Sequence, residues 1–144
     1  VPRIQKILVP IDFSEACERA ALYAVDLATQ LHTSASIDFV HAWQLAGYAT
    51  PSSELAKDTD RQLRNELEAF VKKITPAGVV ARSHLRLGVP YQEVVTAATE
   101  LGSDLIVMGT TGKTGLEHFL VGSVAERVVR GAPVPVITVR FKKD

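Results

Sequence analysis

The sequence predicts a single α/β domain with a doubly wound parallel sheet, and three observations carry that prediction. Five short apolar or β-branched runs alternate with four longer segments of helical period. Such alternation folds as a parallel sheet with right-handed crossovers and helices on both faces. The chain has 144 residues, one domain on a scale of roughly 150 residues each, which leaves no room for separate cofactor and substrate domains. Hydrophobic residues make up 47% and charged residues 22%, enough for a core and a solvated surface, which excludes disorder as the main state.

Ile7-Leu8-Val9-Pro10-Ile11 is a nearly continuous apolar run, the mark of a strand covered on both faces. Ser14 stands where an N-cap belongs, with Glu15 near the positive dipole end of the first helix. That helix has a stripe of Cys17, Ala20, Ala21, Ala24, Leu27, Ala28 and Leu31, rich enough in alanine to approach the sheet closely. The second strand is expected from Ala35 to Ala42, and after Trp43 a polar loop carries Gly47, Pro51, Ser52 and Ser53. A second helix runs from about Ser53 to Ile74, with Leu63, Leu67, Phe70, Val71 and Ile74 inward, and ends at Pro76 and Gly78. Val79 to Leu87 alternates polar and apolar residues as a partly wet edge strand does. Pro90 opens the third helix, Val94, Val95, Ala98 and Leu101 form its stripe, and Gly102 closes it. Leu105-Ile106-Val107-Met108 is the most apolar run and must be central. The fourth helix is expected from about Val124 to Arg130, burying Val124, Val128 and Val129. The last strand, Val134 to Phe141, follows Pro133 and carries Pro135, which places it at an edge.

Sixteen Lys and Arg balance sixteen Asp and Glu, and no run of cations is longer than Lys142-Lys143. Sequence-independent binding of nucleic acid needs clustered cations, so that class of partner is excluded. The lone Cys17 excludes an intramolecular disulfide framework and points to a reducing compartment. No run of about 18 apolar residues spans a bilayer, and Val1-Pro2-Arg3-Ile4-Gln5-Lys6 leads into a strand rather than a signal peptide, so a cytoplasmic protein is expected. His32, His41 and His84 lack partners at metal-binding spacing, and His118 reads as an exposed loop residue.

The chemistry concentrates between Gly109 and Ser123, where G-x-x-G, nine residues and G-S follow the fourth strand. Glycines let backbone N–H groups approach an anion, and a helix start supplies further N–H groups and a positive dipole end. Ser123 with Glu126 three residues later also fits a capping box, which accounts for that serine by helix energetics alone. The length of the connection favours the ligand, since a plain crossover needs about 2–6 residues. Gly112-Lys113-Thr114 is not a Walker A loop, because Val107 occupies the place of its first glycine. Asp12, two residues before Ser14, sits at the carboxyl end of the first strand, where it can favour the helix N-terminus or contact a ligand.

The pattern G-2x-G-9x-G-[ST] after a strand ending in Met108-Gly109, with Pro10-x-Asp12 closing the first strand, resembles the ATP-binding branch of the universal stress protein family. The likeness covers essentially the whole chain, including His41 and Gly88-x-Pro90. It implies a five-stranded parallel sheet of order 3-2-1-4-5, an adenine nucleotide alpha hydrolase-like fold that binds ATP or another adenine nucleotide with Mg²⁺. It places Asp12 at the ribose and adenine end, Pro10, Ile11 and Val40 around the adenine, and the backbone of Val40 on the base edge. Met108 and Gly109 would flank the ribose and first phosphate, and Gly112, Gly122, Ser123 and Val124 would hold the polyphosphate. Thr111 stands where many relatives have histidine or arginine, and Lys113 adds a mobile charge beside it.

The resemblance also implies a homodimer through the last strand, with Val134, Val136, Ile137, Thr138, Val139 and Phe141 at the interface. An apolar edge strand supplies an independent reason, since its unpaired backbone groups are satisfied by a symmetry mate. Three functions stay open on the sequence: a nucleotide-responsive regulatory dimer with an unidentified protein partner, an ATP-consuming enzyme, and a structural dimer without nucleotide. No Walker-B-like aspartate or catalytic base stands out for the second.

Overall fold

A computed structural model describes residues 3–31, 34–45, 47, 49–110 and 122–141. Five parallel strands, β1 (Lys6–Pro10), β2 (Ser36–Trp43), β3 (Ala81–Leu87), β4 (Leu105–Gly109) and β5 (Val136–Val139), form one sheet in the order β3-β2-β1-β4-β5. Four helices connect them: α1 (Glu15–Gln30), α2 (Glu54–Ile74), α3 (Pro90–Glu100) and α4 (Ser123–Gly131). Among the described residues no helix is long and apolar enough to cross a membrane.

Side chains alternate across the strands, so each face builds its own core. Ile7, Val9, Ile37, Phe39, Leu105 and Val107 pack with α1 and α2. Leu8, Val40, Ile106 and Met108 pack with α3 and α4 on the other face. The alanine stripe of α1 behaves as its composition dictates: Ala20, Ala21 and Ala24 are fully buried, which brings the helix against the sheet. Ser14 caps α1 by accepting from the Cys17 N–H at 3.1 Å, and Ser53 caps α2 by accepting from Ala56. Pro90 takes the first helical position of α3.

The structure corrects three expectations. β5 is four residues long rather than eight: Pro135 has no N–H to donate, and its carbonyl, accepting from Ile106, only precedes the ladder. α4 buries Ala125 and Val128, leaving Val124 and Val129 exposed at 37% and 52%, because its inward stripe is set one residue later than expected at its start. Ser123 is the first helical residue rather than the cap. Gly122 holds the cap position, no side chain bonds there, and Glu126 pairs with Arg130 at 2.9 Å, so the capping box is absent.

Candidate functional site

The strands part where a ligand would enter. β1 pairs with β2 as far as Pro10 opposite Val40, but with β4 only at Ile7–Leu105 and Leu8–Ile106. Pro10 cannot donate to continue the ladder, so β1 and β4 separate toward their carboxyl ends. That is the point where the winding reverses, the usual ligand position in open parallel sheets.

Beyond Pro10 the backbone turns sharply through Ile11, Asp12 and Phe13. Asp12 Oδ1 accepts from the Ser14 N–H at 2.9 Å and the Ser14 hydroxyl at 2.5 Å, while that hydroxyl caps α1. The helix-start reading of Asp12 is the one these contacts describe: one carboxylate oxygen secures the first turn of α1, at the carboxyl end of β1. Phe13 sits in the left-handed region with φ of 64°, a strain of about 1–3 kcal/mol for a non-glycine residue. Its ring packs on His41 at 4.8 Å and Phe70 at 6.1 Å, which holds the turn. His41 Nδ1–H donates to the Ile11 carbonyl at 2.6 Å and fixes the other side.

Gly109 ends β4 against the first turn of α1. A Cβ there would lie 3.0 Å from the carbonyl carbon and oxygen of Ala16, so any larger residue would push the helix backbone away by a few tenths of an ångström, and glycine avoids that displacement. The Thr110 carbonyl accepts from the Gly122 N–H, joining the two ends of the long connection, and the Thr110 N–H donates to Val139 at 3.2 Å. Gly122 thus has its N–H engaged, and the Gly122 carbonyl accepts from Glu126. Ser123, Val124 and Ala125 hold the N–H groups at the start of α4 that have no partner among the described residues, the donors an anion at this helix start would meet. Thr111, Gly112 and Lys113, expected in the phosphate loop, lie outside the described residues, as do His32 and His118.

Val40, expected on the base edge, is 1% exposed, and its carbonyl accepts from the Ile11 N–H at 2.8 Å. Hydrogen-bond parity points instead to Ala42. Trp43 uses its carbonyl toward β3, accepting from Gly88, so the N–H and carbonyl of Ala42 face the β1 side. β1 has ended there, and His41 has taken the Ile11 carbonyl. Ala42 accordingly presents an adjacent donor and acceptor at the crevice with no ladder partner among the described residues, the pattern that matches the edge of an adenine. No periodicity could have found this, because it depends on where the neighbouring strand stops. Met108 is buried in the α3 and α4 core next to Gly109, and Pro10 is half-buried with the Cys17 thiol donating to its carbonyl at 3.6 Å. Burial pushes the Cys17 thiol up to about 12, with Asp12 beside it, so it is protonated and inert at neutral pH.

A second polar cluster lies on the α3 face. Asp38 is 0% exposed; its Oδ1 accepts from His84 Nε2 at 2.8 Å and lies 3.2 Å from Arg82 Nε as an ion pair. Its Oδ2 has no partner among the described residues. Arg86 joins Glu93 at 2.9 Å and Glu100 at 2.8 Å, tying β3 to α3. These contacts fasten an edge strand and stand away from the crevice. Among the described residues no three His, Cys, Asp or Glu side chains gather to hold a metal ion.

The universal stress protein family model matches residues 3–140. A universal stress protein of Methanocaldococcus jannaschii is 38% identical over 142 residues, covering 96% of this chain and 84% of its own. The solved structure of the hypothetical protein MJ0577 superimposes with a TM-score of 0.82 at 28% identity, covering 99% of this chain and 100% of that one. The universal stress protein from Archaeoglobus fulgidus, solved in complex with dAMP, has a TM-score of 0.68 at 23% identity over 96% of this chain and 98% of its own, a likeness of fold. A match over nearly every residue, on the strand order and motif positions described above, makes this chain a member of the universal stress protein family.

Proposed function

We propose that the chain is an ATP-binding regulatory protein that acts as a homodimer and hydrolyses its nucleotide slowly or not at all. One observation supports this reading above the others: Asp12, the Ala42 backbone, Gly109 and the N-terminus of α4 converge on the crevice opened between β1 and β4. The donor set fits an adenine nucleotide. Ala42 offers a donor and acceptor to the base, the Asp12 carboxylate an acceptor for ribose hydroxyls, and Ser123, Val124 and Ala125 their N–H groups to phosphate, with the Ser123 hydroxyl outside the cap position. Mg²⁺ would come with the polyphosphate and balance its charge, aided by the Ser123 hydroxyl. The dAMP bound by the Archaeoglobus fulgidus protein agrees with an adenine ligand. The lone cysteine supports a cytoplasmic setting.

Titration calorimetry with ATP and Mg²⁺ tests the site, alongside assay of nucleotide released from the heat-denatured purified protein. Asp12→Ala should weaken binding about tenfold, the worth of a hydrogen bond to a charged group, and Ser123→Ala by less. Absence of binding at millimolar ATP would leave a structural dimer. Single-turnover hydrolysis should run well below about 1 s⁻¹, the lower range of phosphoryl-transfer enzymes; a faster rate abolished in Asp12→Ala would make the protein an enzyme.

A further inference from the structure

A pocket of about 470 Å³ lies between the first turns of α2 and the carboxyl ends of β2 and β3. Ligand sites for small molecules fall in the range of roughly 300–1,000 Å³. It opens at the β2–β3 side of the sheet, away from β4 and α4. Its sheet wall is Trp43 and Leu87, the last residues of their strands and partners across the ladder, with Pro51 closing one end. Its helix wall is Ala56, Lys57, Asp60, Arg61 and Arg64, which share one face of α2 by their spacing of three and four.

The pocket exists because the inward stripe of α2 changes character along its length. Toward its carboxyl end Leu67, Phe70, Val71 and Ile74 cover the sheet. Near its start the small Ala56 is the only buried residue before Leu67, leaving space beside the indole. The lining carries three cations and one carboxylate, an excess of two positive charges in a chain whose net charge is zero. Each cation has a carboxylate neighbour on the helix: Lys57 with Glu54 at 3.8 Å, Arg61 with Asp58 at 3.3 Å and Arg64 with Asp60 at 3.4 Å. All three pairs are solvent-exposed, and such pairs contribute about 0–1 kcal/mol, too little to withhold the cations from an incoming anion. Glu54 and Asp58 are not part of the lining.

We propose that this pocket binds a small flat aromatic acid, its ring against Trp43 and Leu87 and its carboxylate toward Arg61 and Arg64. An aromatic ring matches the indole and the apolar wall, and the planar guanidinium fork matches a carboxylate. The site is distinct from the nucleotide crevice and does not depend on the crevice being filled.

The chain has one tryptophan, so the single indole cross-peak in a ¹⁵N–¹H correlation spectrum reports on this pocket alone. 2-Naphthoate should move that peak saturably, with or without saturating ATP, and uncharged 2-naphthylmethanol should bind about fivefold more weakly. The Arg61→Ala/Arg64→Ala variant should bind naphthoate about as weakly as the alcohol, with its thermal unfolding unchanged because both arginines are exposed. No saturable shift at millimolar naphthoate, equal affinity for acid and alcohol, or competitive displacement by ATP would each overturn the proposal. The last outcome would make the pocket the base end of the crevice, while the ATP titration itself would stand.

Discussion

Asp38 shows how much one residue in the middle of a strand can ask of its neighbours. A carboxylate buried completely and held through one oxygen depends on His84 and Arg82, and Arg82 is half-exposed, so its pairing is screened by solvent. Removing His84 should therefore cost more than removing the charge itself. His84→Ala is expected to destabilise the fold by about 1–3 kcal/mol, since it leaves a buried acceptor unsatisfied. Asp38→Leu should cost less, because the desolvation of the carboxylate goes with it and the Arg82 and His84 side chains left behind reach solvent. Urea unfolding of the two variants measures the difference, and equal losses would show that the pair is no special burden. Gly109 makes the complementary point: its role comes from the Ala16 backbone 3.0 Å from a missing Cβ, a contact between segments far apart in the chain.

The elements divide the work between rigid placement and open edges. β1 and β2 are locked in register, whereas β1 and β4 separate after two pairs, and the crevice is the result. β5 has an open edge of another kind. Its Pro135 and Val139 carbonyls accept from Ile106 and Thr110, so by alternation the backbone groups of Val136 and Thr138 face away from β4. That exposed edge supports the proposed homodimer, with Val134, Val136, Ile137, Thr138, Val139 and Phe141 along it. Light scattering should give twice the chain mass at micromolar concentration. Thr138→Pro, which removes an edge donor without touching the β4 ladder, should give a folded monomer. A wild-type monomer would remove the dimer from the proposal.

At the scale of the molecule, the proposed regulatory role rests on how occupancy changes stability and surface. A ligand that binds only the folded state stabilises it by mass action, about 2.7 kcal/mol at a hundredfold excess over Kd. For a chain of this length that corresponds to a rise in Tm of about 5–10 °C. Differential scanning calorimetry with ATP and Mg²⁺ should show that shift, and Asp12→Ala should reduce it; an unchanged Tm would contradict nucleotide binding at this affinity. Charge is also arranged at this scale. The zero net charge conceals a local positive excess at the mouth of the α2 pocket, while the proposed nucleotide site would rely on backbone N–H groups.

The sequence by itself determined the element order, the parallel class, the cap at Ser14, and the glycine pattern after the fourth strand, because these depend on local periodicity and on residues acting within a few positions of one another. Only the tertiary structure decided which backbone groups are free to meet a ligand. Val40 and Ala42 are equivalent by pattern, yet Val40 has its carbonyl on Ile11 and Ala42 faces the space where β1 has ended. Gly122 reads as a phosphate donor, yet its N–H belongs to Thr110. Asp38 is one polar residue in an apolar run until β3 brings His84 and Arg82 to it. The reason is common to all three: a hydrogen bond is settled by where the neighbouring segment stops, and that distance is set across the sheet rather than along the chain.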